Sequence, residues 1–465
     1  MEGKGLHVVL AQATRELKKP AGDTPRFATA EAIQANRDAF VRACHETWKR
    51  WHGKAVHEIL VWDAFARREK THPIGPPTME IADYNRAIWR RINDSIIWTI
   101  AGQQRHIVKR LCLYRKRGFL SESNPESVLA TLAQLNSAPQ KIAIWNDATS
   151  CVDLGDITYV DAHKSMEPYF LELKEGKVNQ SVVDLIDADA REFEAKFKEF
   201  EKAYGKKGVA QYHRVTRQKT TSTQALTLLH DEHGTDPVTG LELRVHDVQV
   251  APYTYDDVLN RILTEATTRA GAAMEIVDGC LWVHANGSKP LNRYEAKQRF
   301  GELLAARFPQ VARSLGERAS MDQDRIVSLN EGFLPPLAKP IFLRDLDPEN
   351  VGAVIYGDLM FKVFLYLDWE AFGVLIREEG GEFVWSSEKD ARRARSLKRE
   401  LQPVMIRGRI PQVRVGPTTG SITDPNLIQI FFDGLTPRAM AKTIVEIVPT
   451  LTEQIGAHGR SKKKR

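Results

Sequence analysis

Two periods of apolar and polar residues run along the chain, and the changes between them mark its elements. From Thr29 to about Lys70, Ala39, Phe40, Ala43 and Thr47 recur at three-to-four spacing, with Trp48, Trp51 and Trp62 adding bulk. That period predicts a helix. Thr71 to Pro77, rich in Pro and Gly, reads as a linker. A second helix is expected from about Ile81 to Arg117, with Ile88, Ile92, Ile96, Ile100, Ile107 and Leu111 on its apolar face. Its polar face is basic, carrying among others Arg86, Arg90, Arg91, Arg105, Lys109, Arg110 and Arg117, and Gly118 stops it. Pro125 opens a shorter helix with Val128, Leu129, Leu132 and Leu135 on one face.

The period then shortens to two. Lys141 to Trp145, Gly155 to Val160 and Tyr169 to Lys174 read as three strands. Helices are expected over Asp187–Tyr204 and Val209–His230, separated by the turn Gly205 to Gly208. This order predicts a small sheet flanked by helices. Beyond Gly234 to Pro237 a second α/β region is expected. Its strands are placed at Arg244–Val250, Leu281–Val283, Val354–Tyr356, Phe361–Leu367 and Ile428–Phe432. Its helices are placed at Tyr255–Ala272, Glu388–Glu400 and Thr436–Val448. The expected organisation is a helical segment 1–70, a core 71–235, a C-terminal α/β region 236–458 and a basic tail 459–465.

Composition narrows the class. The chain has 465 residues, 42% hydrophobic and 27% charged, which fits an ordinary globular protein rather than a disordered one. A net charge of +6 permits nucleic-acid binding without arguing for it. Cys44, Cys112, Cys151 and Cys280 are scattered and form no disulfide framework or zinc ribbon. The first residues lack a signal-peptide core, and no run approaches a membrane span, so a cytoplasmic protein without a membrane partner is expected. There is no Walker A sequence, dinucleotide fingerprint or nucleophile elbow.

The chemistry concentrates between Lys141 and Gln180. In the strand Tyr169 to Lys174, Phe170, Glu172 and Lys174 share a face. A carboxylate and an ammonium on an apolar strand are costly unless paired or bound to a metal. Asp156 opens the preceding strand, and a hairpin brings it beside Glu172. Two carboxylates and the Leu173 carbonyl form a hard-oxygen set suited to Mg²⁺, with Mn²⁺ as a substitute. The other Glu-x-Lys pairs, such as Glu194 with Lys196, lie in helical or terminal contexts.

Asp156 followed by Glu172-x-Lys174 resembles the PD-(D/E)xK nuclease superfamily over about Ile81 to His230. The resemblance implies a restriction-endonuclease-like core, a small mixed sheet between helices. It also implies a Mg²⁺-dependent nuclease, an endonuclease ahead of an exonuclease, acting on DNA with RNA left open. Asp156 and Glu172 then hold the metal and Lys174 is the catalytic lysine. Gly155 stands where the family name has proline. Asp83 and Asp94 are candidates for a further acid, and Gln211 matches the polar residue on the following helix. With Arg214, Arg217, Gln218 and Lys219 it offers donors to phosphate.

Plainer readings stand beside these. Glu172 and Lys174 also suit an exposed cross-strand ion pair, and Asp156 a turn. Asn146, Asp147, Thr149 and Ser150 suit turn or cap roles, and the basic helix is as much a solvated face as a track for DNA. His45, His52 and His57 lack metal-ligand spacing, and His230 and His233 read as a polar helix end. Restriction, anti-phage defence or DNA repair is the expected setting by analogy, with a homo-oligomer or co-encoded partners possible. The alternative is an inactive nucleic-acid-binding or scaffold protein that keeps the nuclease fold.

Overall fold

The structure, a computed structural model, describes residues 3–19, 30–71, 77–113, 117–173, 177–186, 188–231, 233–235, 242–244, 253–267, 271–286, 327–329, 336–355, 362–396, 403–406 and 408–450. Of the expected linker Thr71 to Pro77, residues 72–76 lie outside this set, while Thr71 ends one helix and Pro77 opens the next; the basic tail 459–465 also lies outside it. The fold is mixed α/β, mostly helical, with small antiparallel sheets. The chain forms two compact units, Pro20–His246, and Met1–Lys19 with Asp247–Arg465. Helix α1 (Gly3–Lys18) therefore belongs with the C-terminal unit rather than with the helices that follow it. Its buried stripe of Leu6, Leu10, Ala13 and Leu17 packs on helix Pro348–Ile355 and the turn Ile341–Leu343.

In the unit Pro20–His246, α2 (Ala30–Ala35) precedes two long helices, α3 (Arg37–Thr71) and α4 (Pro77–Ile100). They pack along each other through buried Trp48, Trp51, Ile59, Trp89, Ile92 and Ile96. The expected single helix to Arg117 is broken after Ile100. Gly102 and Gln103 take φ of 61° and 59°, and the Gln103 N–H donates back to Trp98 O at 2.7 Å. This is a left-handed helix end, hidden in the sequence because Ile107 and Leu111 resume the helical spacing set by Ile100. A short α5 (Arg105–Leu111) follows, then α6 (Pro125–Leu135).

Strands β1 (Lys141–Trp145), β2 (Ile157–Asp161) and β3 (Tyr169–Leu171) form a meander in the order β1-β2-β3. The sheet is antiparallel throughout, not mixed as expected. A parallel neighbour needs a long crossover back into the sheet. The chain instead runs through α7 (Lys177–Ile186) and α8 (Ala190–Asp231), and β4 (His233–Thr235) pairs with β5 (Glu242–Arg244). Helices α3 and α6 pack on β1. The Asn136 side chain pairs with the outer edge of β1, donating to Ala143 O at 3.0 Å and accepting its N–H at 2.7 Å. Helix α7 was not expected. Its Val182 and Leu185 form a small core with Phe200 and Val215 of α8. The turn expected at Gly205 to Gly208 is a kink at Gly205 alone, with φ 59° and ψ −159°.

In the other unit, α9 (Asp256–Glu265) is shorter than expected, and Ala272, the expected end of that helix, opens β6 (Ala272–Val277). With β7 (Leu281–Asn286), β8 (Val327–Ser328) and β9 (Lys362–Leu367) it forms an antiparallel sheet of order β6-β7-β9-β8. Two expected strands are helices. Val354 and Ile355 end helix Pro348–Ile355, and Ile428–Phe432 falls in helix Asp424–Phe431 and its cap. Proline in the first turn of each, and the Asn426 side chain accepting the Thr423 N–H at 2.9 Å, outweigh the β-branched runs.

Candidate active site

The hairpin register builds the site. Ile157 pairs with Leu171, so the next residues outward, Asp156 and Glu172, flank one end of the β2–β3 pair. Two hydrogen bonds clamp that end. The Asp156 N–H donates to Leu171 O at 2.7 Å, and the Leu173 N–H donates to Asp156 Oδ2 at 2.6 Å. Gly155 makes this approach possible. Its φ is +64°, and a Cβ there would stand 2.9 Å from Leu171 O. A proline at this position, locked near φ −65°, does not fit this backbone, which explains its absence before Asp156.

Asn146 braces the other side of Asp156. Its N–H donates to Asp156 O at 2.9 Å, its Nδ2 donates to Leu154 O at 2.7 Å, and its Oδ1 accepts from Thr158 Oγ1 at 2.6 Å. It is a turn latch, buried, rather than a cleft residue. Thr149 is also buried in that turn, donating to Asn146 O at 2.7 Å.

Asp156, Glu172 and Leu173 open onto a cleft of about 680 Å³. Its walls include Arg117, Asp147 and Asp153 on one side, and Asn179, Arg214 and Gln218 from α7 and α8 on another. Arg117 is braced by Asp153 at 2.9 Å and donates to Val152 O at 2.6 Å. Asp153 in turn accepts the Leu113 N–H at 2.6 Å, and Asp147 accepts from Ser123 Oγ at 2.7 Å. Arg117, Asp147 and Asp153 thus have their neighbours fixed within the wall.

Of the helix residues expected at phosphate, Arg214 and Gln218 line the cleft. Gln211 does not. Its Nε2 donates to Asn179 Oδ1 at 2.7 Å and so ties α8 to α7 at the cleft wall. Lys219 lines an adjoining cavity, and Arg217 lines neither. Lys174 lies outside the described residues. The acids considered earlier are elsewhere. Asp83 pairs with Arg86. Asp94 is buried against Arg91 at 2.7 Å and accepts the Ser150 N–H at 2.7 Å and the Cys151 N–H at 3.3 Å. The Ser150 hydroxyl also donates to Asp94. Asp94 is a latch for the loop after β1 and not part of the cleft wall.

The basic face of the expected second helix is largely internal. Arg90, Arg91 and Arg110 are buried. Arg90 donates to Asp147 O at 3.2 Å and Gly118 O at 3.1 Å. Burial, then repulsion from Arg86, pushes its guanidinium down to about 10. His52 is buried too, with Nδ1 3.1 Å from Asn93 Oδ1 and Nε2 accepting the Trp145 N–H at 3.2 Å. Burial pushes its imidazole down to about 4.

Gln218, expected among the phosphate donors, and Arg117, expected on the basic helix face, both line the cleft, whereas sequence reading missed Asp153 and Asn179 as wall residues. Gln218 follows Arg214 by one helical turn, which puts the two on the same face of α8. Asp153 and Asn179 carried no such signal, because they come from a loop and from the unexpected helix α7.

The donor chemistry fits a hard cation. Asp156 and Glu172 offer carboxylate oxygens, Leu173 a backbone carbonyl, and no His or Cys lines the cleft among the described residues. Oxygen sets of this kind, completed by water, suit Mg²⁺. Among the described residues no group of three His, Cys, Asp or Glu side chains is gathered as a metal site, so the set is two carboxylates and a carbonyl. Comparison with family models, with curated proteins and with solved structures found no match.

Proposed function

We propose that this chain is a Mg²⁺-dependent nuclease of the PD-(D/E)xK type that hydrolyses DNA phosphodiesters, in restriction, anti-phage defence or repair. One observation carries the reading. The β2–β3 register sets Asp156 against Glu172 at the mouth of a cleft that also holds Arg214 and Gln218. An αβββα order around that hairpin, from α6 through α7, supports the restriction-endonuclease-like reading of the core.

Asp156, Glu172 and the Leu173 carbonyl would hold the cation. Bound there, it supplies charge neutralisation at the phosphate and lowers the pKa of a water. The protein's own groups do the rest. Arg214 and Gln218 donate to phosphate oxygens from α8. Lys174, two residues beyond Glu172 in the sequence, would take the family's catalytic-lysine role, orienting the attacking water and offsetting developing charge.

The test is cleavage of plasmid and linear DNA, and of RNA, with Mg²⁺, Mn²⁺ or EDTA. Wild type should cut with either metal and stop in EDTA. Glu172→Gln, Asp156→Asn and Lys174→Ala should each lower the rate ~100-fold or more, while Lys174→Ala keeps DNA binding. Cutting that persists in all three variants overturns the site. Metal-insensitive binding without cutting favours the inactive scaffold instead.

A further inference from the structure

A second cavity, of about 330 Å³, adjoins the cleft and shares Gly155, Glu172 and Gln218 with it. Its character is different. Phe170 of β3, Val183 and Ile186 of α7, and Val215 and Leu226 of α8 supply an apolar interior. Ser222 and Thr223 join Gln218 and Lys219 as its polar lining. We infer that this cavity is a base slot, in which an unpaired nucleobase of the substrate strand seats against Phe170 while its phosphate lies in the cleft. The inference rests on the nuclease reading and names the substrate class of that site: single-stranded DNA, or a strand locally opened at the cut.

Size, chemistry and position agree. The volume is at the small end of the ~300–1,000 Å³ typical of small-ligand sites, which suits one heterocycle. An aromatic residue beside aliphatic walls takes a base by its face. The Lys219 ammonium and the Ser222 and Thr223 hydroxyls in the lining offer partners for the polar edge of a base, which an aliphatic peptide side chain lacks. Glu172 and Gln218 border both cavities, so a ligand filling both carries an apolar ring one bond path away from an anion, as a nucleotide does. A paired base inside a duplex cannot enter, because it must first leave its stack.

The test is binding by the full chain with Ca²⁺ in place of Mg²⁺, a hard cation that also takes oxygen ligands. Anisotropy would compare a labelled single strand, an abasic strand of equal length and charge, and a blunt duplex. Wild type should bind the intact single strand about tenfold more tightly than the abasic strand, and more tightly than the duplex. Ser222→Trp, which fills the slot, should erase that margin and leave abasic binding unchanged. Phe170→Leu keeps the apolar volume and should reduce the margin, so the idea stays testable if Ser222→Trp fails to fold. Equal binding of intact and abasic strands by wild type overturns the slot and leaves the phosphate cleft standing. A margin that survives both variants also overturns it. No binding of any strand overturns the nuclease reading and the slot together.

Discussion

At the scale of single residues, the polar groups buried around β1 set how the unit responds to pH and mutation. Burial holds the His52 imidazole near 4 against an ordinary 6.5. The unfolded chain therefore takes up this proton at higher pH than the native chain does. Stability is full above about pH 6.5 and falls as the pH drops toward 4, by about 2 kcal/mol at pH 5 from this residue. Denaturant unfolding at pH 7 and pH 5 should show His52→Gln losing less stability between the two than wild type. An identical loss would mean that other groups govern the acid limb. Asp94 is the second such residue. Removing it strands buried Arg91 and the amides of Ser150 and Cys151. Asp94→Ala should cost about 3–5 kcal/mol, read as a lowered denaturation midpoint.

At the scale of elements, the β2–β3 hairpin end is the part on which chemistry depends. Gly155 lets Asp156 come within 2.7 Å of Leu171 O, and Asn146 holds the loop from behind. Gly155→Ala adds about 1–2 kcal/mol of left-handed strain and a clash with backbone that cannot rotate away. It should lower the melting temperature modestly but depress cleavage far more, since it shifts the carboxylate itself. A rate that merely tracks the fraction folded would contradict this. The pairing of α7 with α8 matters in the same way. Gln211 bonds Asn179, so a residue that looked like a phosphate ligand instead holds the two helices that wall the cleft and the slot.

At the scale of the whole molecule, each of the two units has its own core. In the unit of Met1–Lys19 and Asp247–Arg465, Arg344 is buried against Asp256, and Tyr255 donates to Ile430 O at 2.8 Å. Gly434, at φ +81°, sits so close that a Cβ would meet Arg344 Nη2 at 2.5 Å and Asp256 Oδ1 at 2.7 Å. Gly434→Ala should therefore cause loss of amide-exchange protection concentrated in this unit, whereas Asp94→Ala should concentrate it in residues 20–246. Among the described residues no helix is long and apolar enough to cross a membrane.

Much of the local structure was legible in the residues. The three-to-four spacing of Trp48, Trp51 and their neighbours specifies α3, and alternation in Lys141 to Trp145 specifies β1. Asp156 and Glu172 were legible as a pair because a hairpin has few registers that bury one face. Local pattern misled where end signals competed with it, as in helix Asp424–Phe431, whose apolar run looks like a strand until its cap is seen. What the tertiary structure alone decided is which polar groups face each other across long separations. Arg117 and Asp153 reach the cleft from loops, Asp94 turns inward to bind the loop after β1, and α1 joins residues more than three hundred positions away. Periodicity reports only which face of an element is buried. It carries no record of which distant element covers that face, because burial is rewarded by area and not by partner.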